Sequence, residues 1–202
     1  MQNDLLDNRT ELVRKSIHIV CSILPLSYLY YFSREQIIIL SGFISIGFVA
    51  VDLLRMKSTK IQHYFFFVFN SLLRENEKEQ KLTGATFLFV SLTIIFILFE
   101  KKTAIPAALI LTIADSFAAI IGKKLGRTKF LSKTVTGSLT FFLIGSVIFL
   151  ILLPELGLLN ILIVAILTVI EALAMPVSDN LTLPISACLL IEGLFFIKGG
   201  LI

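Results

Sequence analysis

Apolar runs recur along this chain at the length of a bilayer-crossing helix, and that recurrence limits the folds open to it. Seven are read from the sequence: Ser16–Phe32, Gln36–Leu54, Thr83–Phe99, Thr103–Gly122, Val135–Leu153, Leu158–Pro176 and Leu181–Ile197. A helix needs about 17 to 25 apolar residues to cross the hydrocarbon core. Within that core each backbone must satisfy its own hydrogen bonds, so helices or a closed barrel are the only solutions. The alternation of a membrane barrel is missing. The expected architecture is therefore all-α, a polytopic integral-membrane bundle of about seven spans, forming a single domain over residues 1–202.

Composition agrees. Of the 202 residues 56% are hydrophobic and only 16% charged, with mean hydropathy +0.93, well outside the range of soluble domains. Cys21 and Cys188 both fall in apolar runs, which suits buried thiols better than a disulfide or a zinc site. The N-terminus carries Asp4, Asp7 and Glu11 and lacks a small-residue cleavage site. The first apolar run is therefore expected to remain as a span. The aromatic stretch Ile61–Leu73, between cationic flanks, is too short for a span and reads as an interfacial or re-entrant helix. With the N-terminus in the cytoplasm, all of the 18 Lys and Arg except Arg34, Lys101, Lys102 and Lys198 fall on the cytoplasmic side. This is the positive-inside distribution.

That orientation gathers the polar groups at one face. Glu11, Arg14, Lys15 and His18 share a stripe of the first helix. Asp52 and Arg55 close the second span. Asp115 lies within the fourth and Glu171 within the sixth, while Asp179 and Asn180 form the last cytoplasmic turn. A charge inside a span costs on the order of 3 kcal/mol and usually faces the bundle interior for a functional reason. Asp115 has no basic residue one helical turn away, and small residues follow it at Ala118, Ala119 and Gly122. Most of the others have plainer readings as well. The stripe suits a headgroup-facing helix start, Asp52–Arg55 an i,i+3 pair, and Asp179 or Asn180 a helix cap. Lys123 through Lys129 suit a positive-inside anchor.

The loop after Asp115 is not a Walker P-loop. Its expected chemistry is anion binding: Gly122 and Gly126 free the backbone to aim amides at a phosphate. Thr134 or Thr136 would cap the next helix, whose first amides lie near Gly137 and Ser138. Lys133, with Lys123 or Lys124, would supply point charge.

The ordered motifs E-x-x-R-K-x-x-H at Glu11–His18, D-x-x-R at Asp52–Arg55 and T-G-A-T at Thr83–Thr86 are followed by ADSFAAIIGKKLG at Ala114–Gly126, KTVTGS at Lys133–Ser138 and DNLTLP at Asp179–Pro184. Together they resemble the family of polyprenol (dolichol) kinases, phytol kinases and CTP-dependent diacylglycerol kinases. The resemblance implies CTP as co-substrate, a divalent cation such as Mg2+, and a membrane lipid alcohol as acceptor. It also implies that Arg14, Lys15, Asp115 and Gly122 are essential.

On this reading the metal carboxylates are Asp115, then Asp179 and Glu171. Arg14, Lys15, Lys123, Lys124 and Lys133 hold the triphosphate, with Gly122, Gly126, Thr134, Gly137, Ser138 and Asn180 completing the nucleotide site. The general base is His18 or Asp52. The partners are a lipid alcohol, a nucleoside triphosphate and the bilayer, with no nucleic acid; a homodimer is left open. The alternatives are a CTP:lipid-phosphate transferase like phosphatidate cytidylyltransferase, which would release pyrophosphate, or a small membrane transporter without chemistry.

Overall fold

A computed structural model describes residues 2–69, 72–73, 81–173 and 178–199. Among the described residues the regular structure is helical apart from one two-residue-stranded hairpin. Helices α1 (Gln2–Cys21) and α2 (Ile23–Tyr30) form one bent rod. Its bend falls just ahead of Pro25, which lacks the amide to continue the ladder. Helix α3 (Arg34–Lys57) opens on a capping box between Ser33 and Gln36, which satisfies two otherwise orphaned amides. Helix α4 (Thr59–Phe69) buries none of its residues. It covers residues 61–69 of the stretch expected to be interfacial, and the Arg55 guanidinium lies 5.0 Å from the centre of the Phe65 ring.

Helix α5 (Gly84–Leu98) starts at the Thr83 cap. Then come α6 (Lys101–Leu109), a π turn (Ile110–Ala114) and α7 (Asp115–Leu125), which together make one continuous helix. Strands β1 (Lys129–Phe130) and β2 (Lys133–Thr134) pair antiparallel with Phe130 opposite Lys133. They lead into α8 (Val135–Leu152), α9 (Leu159–Ala172) and α10 (Asp179–Gly199). The expected sixth-span end at Pro176, and Arg74 and Lys78 of the basic loop, lie outside the described residues.

Among the described residues, five helices are long and apolar enough to cross a membrane: Thr10–Tyr30, Arg34–Lys57, Lys101–Leu125, Val135–Leu152 and Asp179–Lys198. The third and sixth expected spans correspond to helices of only 15 and 14 residues, Gly84–Leu98 and Leu159–Ala172. At 1.5 Å per residue they reach about 22 Å, short of a hydrocarbon core of about 30 Å. Among the described residues, five of the seven expected spans thus correspond to helices of full crossing length and two to shorter apolar helices.

Lys101–Leu125 is the most buried of the long helices. It packs against α1, α2, α8 and α10. Small side chains make that approach possible: Ala104, Ala107, Ala108, Ala114 and Ala118 are all buried. Close packing of small residues is what holds helices together where lipid removes the hydrophobic drive. Large apolar side chains face outward instead, among them Ile39, Phe43 and Ile46 on α3 and Leu139, Leu143 and Val147 on α8. Such a surface is costly in water and neutral in hydrocarbon.

Candidate active site

Asp115 is the first residue after the π turn. Its amide donates to the Ile110 carbonyl five residues back, and Thr112 Oγ1 donates to the Ala108 carbonyl at 2.8 Å. The extra residue in that turn changes the rotational phase of the helix, and such turns are frequent at functional sites. Asp115 is fully buried, and Lys15 of α1 donates directly to its Oδ2. The cation missing from its own helix is thus supplied from 100 residues earlier in the chain. Arg14, next to Lys15, pairs with Glu11 Oε2 at 3.2 Å. His18 lies one turn further along the same helix, buried, with Nδ1 lacking a hydrogen-bond partner.

The hairpin brings a second lysine. Lys133 Nζ stands 3.2 Å from Glu171 Oε1 and 3.3 Å from Asp179 Oδ2. Burial alone would lower the pKa of this ammonium, but the charges of Asp115, Glu171 and Asp179 outweigh it and hold the group above the ordinary lysine range. Lys133 therefore stays cationic at neutral pH. Backbone ties hold the hairpin there: Ser132 donates through its amide at 3.0 Å and its hydroxyl at 2.7 Å to the Ala172 carbonyl at the end of α9.

Helices α1, α7, α8, α9 and α10 thus contribute to one polar cluster at one end of the bundle. Among its buried atoms Asp115 Oδ1, Ser116 Oγ, Ser138 Oγ and Glu171 Oε2, like His18 Nδ1, have no hydrogen-bond partner. Native proteins rarely bury such atoms unsatisfied.

Several residues expected at this site do something else. Asp52 was read as a base, but four donors engage it. Arg55 Nε reaches Oδ1 at 2.7 Å. The Thr83 amide, Thr83 hydroxyl and Thr86 hydroxyl reach Oδ2 at 2.8, 3.1 and 2.6 Å. Arg55 also donates to the Lys81 carbonyl. Asp52 is a clamp between α3 and the start of α5, with its lone pairs committed. Asn180 donates its amide to the Gly84 carbonyl at 2.8 Å, tying α10 to the same helix start.

The glycines are closely packed in this structure. The Gly126 amide closes α7 on the Gly122 carbonyl at 2.9 Å, and the Gly137 amide is taken by the Thr134 hydroxyl at 3.1 Å. A Cβ on Gly126 would meet Thr134 Cβ at 2.7 Å, and one on Gly137 would meet the Ala118 carbonyl at 3.0 Å. Of the two threonines that suited a cap, Thr134 is the one used. Lys123 and Lys124 stand at the far end of α7, at the mouth of a groove shared with α1.

Among the described residues no three His, Cys, Asp or Glu side chains gather to hold a metal ion. Lysines interleave the acids: Lys15 on Asp115, and Lys133 between Glu171 and Asp179. Asp115, Glu171 and Asp179 each have a cationic partner in this structure, while Asp115 Oδ1 and Glu171 Oε2 have no hydrogen-bond partner.

The class this fold and cluster define is an all-helical bundle whose apolar helices fit a membrane protein, with buried lysine–carboxylate pairs converging at one end. The chain is similar to an uncharacterized protein of Rickettsia prowazekii (strain Madrid E), 34% identical over 131 residues. The matched stretch is 64% of each chain, so this protein spans about two thirds of that relative's length. No family model matches the chain, and no solved structure matches it.

Proposed function

We propose that this protein is a CTP-dependent kinase of a membrane lipid alcohol, working at the cytoplasmic face with its N-terminus in the cytoplasm and its seven apolar helices embedded in the bilayer. The observation that carries the reading is the convergence of Lys15, Asp115, Lys133, Glu171 and Asp179 from separate parts of the sequence. All of them except Glu171 belong to the motifs that resemble polyprenol, phytol and diacylglycerol kinases.

Phosphoryl transfer is mostly positioning and charge neutralisation. Lys15 and Lys133 are held in place by carboxylates before any substrate arrives. On that reading they exchange part of this pairing for phosphate oxygens of the nucleotide, which enters as its magnesium complex. Arg14 lies beside Lys15 and adds a third cation. The acceptor hydroxyl attacks the γ-phosphorus, the bond from that phosphorus to the β-phosphate bridging oxygen breaks, and CDP leaves. A base must take the hydroxyl proton, and His18 Nδ1, buried without a hydrogen-bond partner on the helix that carries Lys15, is the histidine nitrogen offered for it. Asp52, with both oxygens engaged, does not serve.

The test is purified protein with labelled CTP or ATP, magnesium and a panel of lipid alcohols. CDP together with a lipid monophosphate is the expected product pair. Pyrophosphate with a CDP-lipid would move the chain to the cytidylyltransferases, and no turnover with any donor would remove the enzymatic reading. Asp115→Asn should insert normally and lose at least about a hundredfold in turnover, the scale on which a single charged or proton-transfer group contributes.

A further inference from the structure

Beside the lysine–carboxylate cluster, on the lateral face of the bundle, α1 and α7 leave an open groove of about 210 Å³ lined by Glu11, Leu12, Ala119, Ile120, Lys123 and Lys124. Its chemistry is graded along the helices. Leu12, Ala119 and Ile120 make apolar walls. Lys123 and Lys124 lie one turn further on, where the long apolar helix Lys101–Leu125 ends. Arg14 stands 3.2 Å from Glu11 at the same level, so three cations and one carboxylate lie at this end of the groove. Leu12 on its α1 wall is exposed, and α1 and α7 carry further exposed apolar side chains at Val13, Ile17 and Phe117.

A groove with hydrocarbon walls and two ammonium groups where a span meets the headgroup layer has the polarity profile of one phospholipid. Lysine stems can line apolar surface while their heads reach the interface, and basic pockets between spans at that depth suit anionic headgroups. We propose that this groove binds a single anionic phospholipid drawn from the bilayer, its phosphate against Lys123 and Lys124 and one acyl chain along Leu12, Ala119 and Ile120. The site is separate from the phosphoryl-transfer reading and does not depend on it. It assigns the two lysines to a lipid headgroup rather than to the nucleotide.

The chain has no tryptophan, so a single introduced indole reports without background. Leu12→Trp places it on the groove wall, and Val20→Trp places it on exposed α1 surface two turns away. Each protein is reconstituted in phosphatidylcholine vesicles and titrated with acyl-brominated phosphatidate or acyl-brominated phosphatidylcholine. For Leu12→Trp, quenching by phosphatidate is expected at roughly fivefold or more lower lipid fraction than by phosphatidylcholine. Val20→Trp should show no such preference, and Lys123→Gln/Lys124→Gln should abolish it at Leu12→Trp. Native mass spectrometry of the unsubstituted chain gives a second readout: one phosphatidate retained, and lost with the two lysines. Equal quenching by both lipids at the groove overturns the proposal. So does a preference that survives the double lysine substitution or appears equally at Val20→Trp, which would mark general charge attraction. If Leu12→Trp fails to fold, retention or loss of phosphatidate in the mass spectra decides.

Discussion

Lys15 and Asp115 are each other's main charge partners in a region with little water. A buried pair of this kind need not stabilise the fold relative to an apolar pair, but breaking it from one side leaves an uncompensated charge. Lys15→Met should therefore cost about 3–5 kcal/mol of stability. The double change Lys15→Met/Asp115→Leu should recover most of that loss while remaining inactive. Chemical unfolding in detergent measures both, and equal losses in the single and double variants would show that the two side chains are not coupled. The pair was partly legible in the sequence. An aspartate alone in a small-residue helix stood out, and Lys15 lay on a polar stripe, but nothing in residue spacing could bring the two together. Asp52 misled for the opposite reason. Its i,i+3 arginine was visible, whereas Thr83 and Thr86, which complete its coordination, belong to another helix.

At the level of elements, α7, the hairpin and α8 are locked by Thr134. Its hydroxyl caps α8 and fills the crevice between Gly122, Gly126 and Gly137. Thr134→Ala should cost about 1 kcal/mol through the cap alone. Gly126→Ala should cost more, because its Cβ meets backbone and a β-branched side chain rather than a flexible end. Thermal unfolding of the two variants tests that order, and a fully tolerated Gly126→Ala would mean the hairpin gives way easily. Glycine spacing in the sequence suited either anion binding or close helix approach. Only the neighbouring chain's position distinguishes them, since the φ of Gly126 is an ordinary −72°. The hairpin itself was unreadable: its two-residue strands are too short for periodicity, and Leu131 occupies a turn position at φ 53° that usually signals glycine.

For the whole molecule, the long apolar helices were legible because hydrophobic length survives any detail of packing. The shortness of α5 and α9 was not, because their ends are set by caps and turns rather than by loss of apolar residues. Opposite ends of α8 should lie on opposite sides of a bilayer, since its 18 residues rise about 27 Å. In a chain with Cys21 and Cys188 replaced by alanine, Leu125→Cys and Leu158→Cys sit at exposed positions near those two ends. A membrane-impermeant maleimide applied from outside should label Leu158→Cys and spare Leu125→Cys. Labelling of both from one side would defeat the transmembrane arrangement, and the reverse pattern would invert the orientation.

The π turn at Ile110–Ala114 makes the central rod a joint between two angular settings. Below it, Thr103 addresses Glu192 of α10 at 2.7 Å; above it, Asp115 addresses α1. Excising a single residue such as Ile113 would turn the bond from the Asp115 amide to the Ile110 carbonyl into an ordinary α-helical one, so both halves would keep their bearing. The acid should stay beside its lysine, and a loss of activity in such a variant would then report on the widened turn itself.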